Sequence, residues 1–136
     1  MSEATPLPFT SGSRAGEARC QVLVVDDDLD IRETLQEVLE HEGYEVATAR
    51  NGIDALARAK LLHPSLILLD LFMPVMDGTE FRRRQLVDPE ISGIPVVVVS
   101  AAANLEERVR SLSVAGLLEK PLQLDVLFDL VGRYCH

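Results

Sequence analysis

Three apolar runs in this 136-residue chain end in groups that can do chemistry. Val22-Leu23-Val24-Val25 runs into Asp26-Asp27-Asp28, Leu66-Ile67-Leu68-Leu69 into Asp70, and Val96-Val97-Val98-Val99 into Ser100. A further short apolar stretch leads to Lys120-Pro121. Crowding carboxylates at strand ends does nothing for folding, since two of them about 5 Å apart repel by roughly 3 kcal/mol at an effective dielectric near 20. A hard divalent cation among them removes that cost. Mg2+ prefers carboxylate oxygens and keeps water and phosphate oxygens as its other ligands. Taken singly, Asp26, Asp27 and Asp28 also read as helix-capping acids, Ser100 as a strand-end hydroxyl and Lys120 as a surface lysine. Asp70 resists such a reading, because a carboxylate directly after four buried aliphatics needs a partner.

The elements that must position these groups alternate along the chain. Gln21–Asp26, Tyr44–Ala49, Ser65–Asp70, Ile94–Ser100 and Gly116–Glu119 read as strands. Between them, Ile31, Leu35, Val38 and Leu39 recur at helical spacing and mark Leu29–Glu42. Asp28 or Asp30 can start that helix and Gly43 can end it. Ala55, Leu56, Ala59 and Leu62 mark a second helix, stopped by Pro64. A weak third runs from Gly78 to about Val87, with Phe81 and Leu86 as its main apolar residues. Leu105, Val109 and Leu112 mark a fourth, and Leu124, Leu127 and Val131 a fifth. Strands apolar on both faces imply a parallel sheet covered by helices on both sides. The predicted fold is α/β and flavodoxin-like, a (βα)5 sandwich with strand order 2-1-3-4-5. Ligands bind such sheets beyond the C-terminal strand ends, where the order reverses. The acidic groups end the two strands that flank that point.

Composition bounds the alternatives. A net charge of −9, with Arg82-Arg83-Arg84 as the one short basic run, argues against a nucleic-acid partner. That run reads as the solvated side of a helix. No stretch has the 18 or so apolar residues of a membrane span, and no signal peptide opens the chain. Cys20 and Cys135 form no CxxC pair, and two thiols make no disulfide framework, so a reducing cytoplasm is the expected location. His41, His63 and His136 follow no metal spacing. Residues 1–19, rich in Pro, Gly, Ser and Thr, read as a flexible tail, leaving 20–136 as one domain.

Taken together, these motifs resemble those of a response-regulator receiver domain. They are Leu23 to Asp28, the segment from Leu68 through Asp70 and Pro74 to Asp77-Gly78, Val98-Val99-Ser100-Ala101, and Glu119-Lys120-Pro121. The resemblance covers about residues 20–133. It implies that Asp70 accepts a phosphoryl group from a histidine kinase or histidine phosphotransfer protein, in a self-catalysed, Mg2+-dependent step. Asp27, Asp70 and the backbone carbonyl of Phe72 would hold Mg2+, or Mn2+ in its place, with Asp26 bound through water. Lys120 would pair with Asp70 and then with the phosphoryl oxygens, Ser100 would bind the phosphoryl group, and Pro121 would follow a cis bond. The output would be contact with a downstream protein. With no further domain in view, a stand-alone member is expected.

Departures from the family pattern matter as much. Leu117 stands where the family carries an aromatic switch residue. Phe72 and Ala102 flank the phosphate position without a polar group to orient water, so slow autodephosphorylation is expected. Leu117 keeps open a degenerate receiver that works unphosphorylated. A Mg2+-dependent aspartyl phosphohydrolase of the haloacid-dehalogenase type needs a second Asp where Phe72 stands. A flavin-binding electron carrier needs a phosphate-cradling first loop, where Asp26-Asp27-Asp28 would repel the ligand.

Overall fold

A computed structural model describes residues 20–135; the predicted tail lies outside the described residues. Five strands, β1 (Gln21–Val25), β2 (Glu45–Ala49), β3 (Leu66–Leu69), β4 (Val96–Ser100) and β5 (Gly116–Glu119), form one sheet. All pairings are parallel and the order is β2-β1-β3-β4-β5, as the apolar patterning predicts. The helices are α1 (Leu29–His41), α2 (Gly52–Leu62), α3 (Gly78–Leu86), α4 (Leu105–Val109) and α5 (Leu124–Tyr134), with a 3₁₀ turn over Arg110–Leu112.

Strand side chains alternate between two cores, because successive residues face opposite sides of a sheet. Leu23, Val25, Ile67, Leu69, Val96 and Val98 meet Ala55 and Ala59 of α2, Phe81 of α3 and Leu105 and Val109 of α4. Val22, Val24, Leu66, Leu68, Val97 and Val99 meet Leu35 and Leu39 of α1 and Leu127 and Val131 of α5. Both faces of β1, β3 and β4 are thereby buried, which is why those strands read as unbroken aliphatic runs.

Short polar side chains start the first three helices. Asp28 accepts hydrogen bonds from the Asp30 and Ile31 amides, Asn51 from Asp54, and Asp77 from Glu80. After α1, Gly43 takes a φ of +98°, a turn that a side chain would strain.

At α3 the inward face differs from the expected one. Phe81 is buried, but Leu86 is exposed, and Arg82 and Gln85 fill the interior instead. Arg82 is only 5 % exposed. Its Nε donates to the Leu112 carbonyl at 2.9 Å, Nη2 to Ser113 O at 2.8 Å and Nη1 to Gln85 Oε1 at 2.6 Å. Gln85 Nε2 in turn donates to the carbonyls of Ile91 and Ile94, both at 2.9 Å. The basic run is therefore not uniformly solvated: Arg83 and Arg84 are exposed beside Glu80, and Arg82 clamps the segment that leads into β5 and, through Gln85, the one that leads into β4.

The cysteines correct a second expectation. Cys20 and Cys135, 115 positions apart, are joined in a disulfide with a Cα–Cα distance of 5.3 Å. Their separation hides the pairing in sequence, since only the docking of α5 beside β1 brings them together.

Candidate functional site

The C-terminal edge of the sheet gathers the charged strand ends. The Asp26 amide donates to Ala49 O at 3.1 Å and the Asp70 amide to Val25 O at 2.9 Å, which holds Asp26 to the end of β2 and Asp70 to the end of β1. One carboxylate oxygen from each of Asp26, Asp27 and Asp70 lies within 4.8 Å of the others. Asp27 is exposed, whereas Asp26 is 3 % and Asp70 7 % exposed. Among the helix-capping alternatives only Asp28 takes that role. Asp26 Oδ1 instead accepts from the Asp28 amide at 3.0 Å, and its own carbonyl accepts from Arg32 Nη1 at 2.7 Å.

Lys120 reaches this cluster from the far end of β5. Its amide donates to Ser100 O at 3.0 Å, and the Lys120-Pro121 peptide is cis. The ammonium lies 2.8 Å from Asp26 Oδ2 and 3.7 Å from Asp70 Oδ2, so Asp26 rather than Asp70 is its hydrogen-bonded partner. Burial works to lower the pKa of Lys120, but the hydrogen bond and charge of Asp26, with help from Asp70 and Asp28, carry it above the ordinary lysine value. Asp70 titrates above the usual aspartate range. Burial is the first cause and the Asp26 charge the second, with Lys120 opposing both.

The loop after β3 is shaped by close backbone approach. A Cβ at Gly78 would collide with the Asp70 carbonyl oxygen, and the Gly78 amide donates to Leu71 O at 2.9 Å. Gly52, at the start of α2, packs as tightly on Met76 and donates to its carbonyl at 2.8 Å. The Phe72 amide makes a long 3.4 Å contact to Asp70 Oδ1. Its ring, 55 % exposed, carries the Arg108 guanidinium 5.5 Å from its centroid. Arg108 Nε also donates to Ala103 O at 2.9 Å, so one side chain of α4 joins the loops after β3 and β4. Ser100 is buried at the end of β4, where its hydroxyl oxygen accepts from the Ala102 amide at 3.3 Å. Leu117 is half-buried and lines an open groove with Leu105, Lys120, Pro121 and Val126.

Three carboxylates facing one ammonium leave a net negative pocket of hard oxygen donors, a donor set that suits Mg2+. Such a pocket, with a buried carboxylate beside a lysine, matches the chemistry of aspartyl phosphorylation. The family model of the response regulator receiver domain matches residues 22–132. The chain belongs to that family.

The relatives agree. The chain is 36 % identical over 116 residues to sporulation initiation phosphotransferase F of Bacillus subtilis, covering 84 % of this chain and 92 % of that protein. It is 31 % identical over 115 residues to the polar-differentiation response regulator DivK of Brucella ovis, covering 83 % and 94 %. Transcriptional regulatory protein PrrA of Mycobacterium tuberculosis is 40 % identical over 114 residues, 83 % of this chain but 47 % of that protein. Among solved structures, the chemotaxis response regulator CheY4 of Vibrio cholerae superposes with a TM-score of 0.79 at 30 % identity, over 86 % of this chain and 99 % of that one. A response regulator receiver protein from Pseudomonas putida gives 0.80 at 30 % identity, over 86 % and 98 %.

Arg32, Arg82, Arg108 and Gly52 take roles that the sequence does not announce. Of these only Gly52 leaves a signal, directly after Asn51, a residue fit to cap a helix, and the arginines act through contacts that no local pattern displays.

Proposed function

We propose that this receiver domain is a phosphorylatable member of a two-component system or phosphorelay, with Asp70 as its phosphoacceptor. The observation that carries the reading is the buried Asp70 carboxylate within reach of Asp26, Asp27 and the Lys120 ammonium. An Asp70 oxygen attacks the phosphorus of a phosphohistidine on a histidine kinase or phosphotransfer protein. The P–N bond breaks, the imidazole leaves with the bond's electrons, and Asp70 holds an acyl phosphate. Asp27, Asp70 and the Phe72 carbonyl, with Asp26 through water, would hold Mg2+, with Mn2+ as a substitute. The cation neutralises carboxylate and phosphoryl charge when bound. Lys120 moves its contact toward the phosphoryl oxygens, and Ser100 donates its hydroxyl to one of them. Phe72 and Ala102 bring no polar side chain to orient water, which favours a long-lived acyl phosphate.

The signal leaves by protein–protein contact, in the cytoplasm, and involves no nucleic acid surface on this domain. No helix among the described residues is long and apolar enough to cross a membrane. The phosphotransferase named among the relatives supports a relay role. The test is intact mass after incubation with phosphoramidate or acetyl phosphate and Mg2+. The wild-type chain should gain one phosphoryl group and lose it in hydroxylamine, and Asp70→Asn should gain none. Modification of that variant to the wild-type extent would place the acceptor elsewhere. No gain by the wild type would favour an unphosphorylated interaction module.

A further inference from the structure

The N-terminal edge of the sheet carries chemistry that phosphoryl transfer does not use. Cys20 immediately precedes β1 and Cys135 immediately follows α5. Their Cα atoms are 5.3 Å apart, in the middle of the range that a disulfide spans without backbone movement. Cys135 is 4 % exposed and packs with Leu127 and Val131, whereas Cys20 is only half-buried at the rim of the same cluster. Close by, the Tyr134 hydroxyl donates to Ala115 O, just ahead of β5, at 3.3 Å. The disulfide thus ties the end of α5 to the start of β1, and the Tyr134 hydrogen bond ties its last turn to the segment before β5, both at the end of the sheet opposite the carboxylates.

The elements that it joins are already held without it. Backbone pairing fixes β1 on both sides, and Leu127 and Val131 anchor α5. Breaking the link would therefore act on the end of α5, where Cys135 closes the second core, while strand pairing and the Leu127 and Val131 contacts hold the rest.

We propose that Cys20 and Cys135 form a reversible redox site, with Cys20 as the sulfur that exchanges with small disulfides such as glutathione disulfide. The Cys20 thiolate attacks one sulfur of the small disulfide, whose S–S bond breaks and releases one thiolate. The Cys135 thiolate then attacks Cys20 Sγ in the mixed disulfide and expels the second. Two protein thiols become one disulfide, and one small disulfide becomes two thiols, so electrons and protons balance. Excess small thiol runs the sequence backwards, again at Cys20, because the Cys135 sulfur is covered. Oxidation clamps the α5 terminus, and reduction lets it fray.

Intact mass and hydrogen exchange on the whole chain test this. In glutathione disulfide the wild type should become two hydrogens lighter, stay monomeric on a non-reducing gel and regain both hydrogens in excess glutathione. Amides of residues 128–134 should exchange about tenfold faster in the reduced form, with those of 70–78 unchanged. Cys135→Ala should trap one glutathione on Cys20, and Cys20→Ser should exchange like the reduced wild type under either condition. If Cys135→Ala fails to fold, Cys20→Ser alone decides the matter. Intermolecular dimers, persistent free thiols in glutathione disulfide, a bond that excess glutathione leaves intact, or identical exchange in the two redox forms would overturn the proposal.

Discussion

The two edges of this sheet solve opposite problems. At the N-terminal edge, polar groups are matched. Arg82 and Gln85 satisfy carbonyls ahead of β4 and β5, and a disulfide joins the start of β1 to the end of α5. At the C-terminal edge, Asp26, Asp27 and Asp70 crowd together with Lys120 as their near cation. A fold that was free to minimise its own energy would not leave one edge so balanced and the other so short of positive charge. The contrast teaches where stability resides and where it has been given up for a ligand.

The largest effect is expected from disturbing the matched edge. Arg82→Met keeps much of the side-chain volume but removes the donors to Leu112, Ser113 and Gln85. Stranding those acceptors, of which Leu112 O and Gln85 Oε1 are buried, should cost about 3 kcal/mol in urea unfolding. Arg83→Met and Arg84→Met touch only exposed pairs with Glu80 and should each stay within about 0.5 kcal/mol. A loss below about 1 kcal/mol for Arg82→Met would mean that water replaces the guanidinium, and the edges would then differ less than their hydrogen bonds suggest.

At the crowded edge the sign should reverse. Asp27 is exposed and contributes negative charge, so Asp27→Asn should stabilise the metal-free protein by about 1 kcal/mol. Mg2+ should raise the melting temperature of the wild type by mass action, and the same substitution should shrink that rise. A metal-free variant less stable than the wild type would make Asp27 a structural residue.

What could be read in the sequence follows from how local the cause is. The strand order was accessible because β1, β3 and β4 are aliphatic on both faces, which a covered parallel sheet demands. Asp26, Asp27, Asp70 and Lys120 were conspicuous because charge at the end of a buried run is costly. Arg82 was hidden, since three arginines in succession look solvated and only its position on α3 turns one of them inward. The cysteines were hidden because α5 must dock before they meet. The choice of Asp26 over Asp70 by Lys120 is a matter of about an ångström, finer than residue patterns resolve.

The smallest effect concerns pH, and it separates the edges by charge alone. Asp70 has its pKa raised in the folded chain, by burial first and the Asp26 charge second. The folded state therefore holds the Asp70 proton more tightly than the unfolded chain does. The stability gained from protonated Asp70 is fully present below the unfolded value, about 3.9, and is lost as pH rises through the folded value. Urea unfolding in EDTA should show wild type losing stability relative to Asp70→Asn as pH climbs from about 4, then levelling once Asp70 is ionised in the fold. Saturating Mg2+ should invert the trend, because the cation competes with the proton for the same oxygens and binds better as pH rises. Arg82→Met removes a group that keeps its charge throughout this range, so its cost should not change with pH. A flat difference between wild type and Asp70→Asn in EDTA would show that the Asp70 carboxylate is solvated, and the crowded edge would then be no more strained than the matched one.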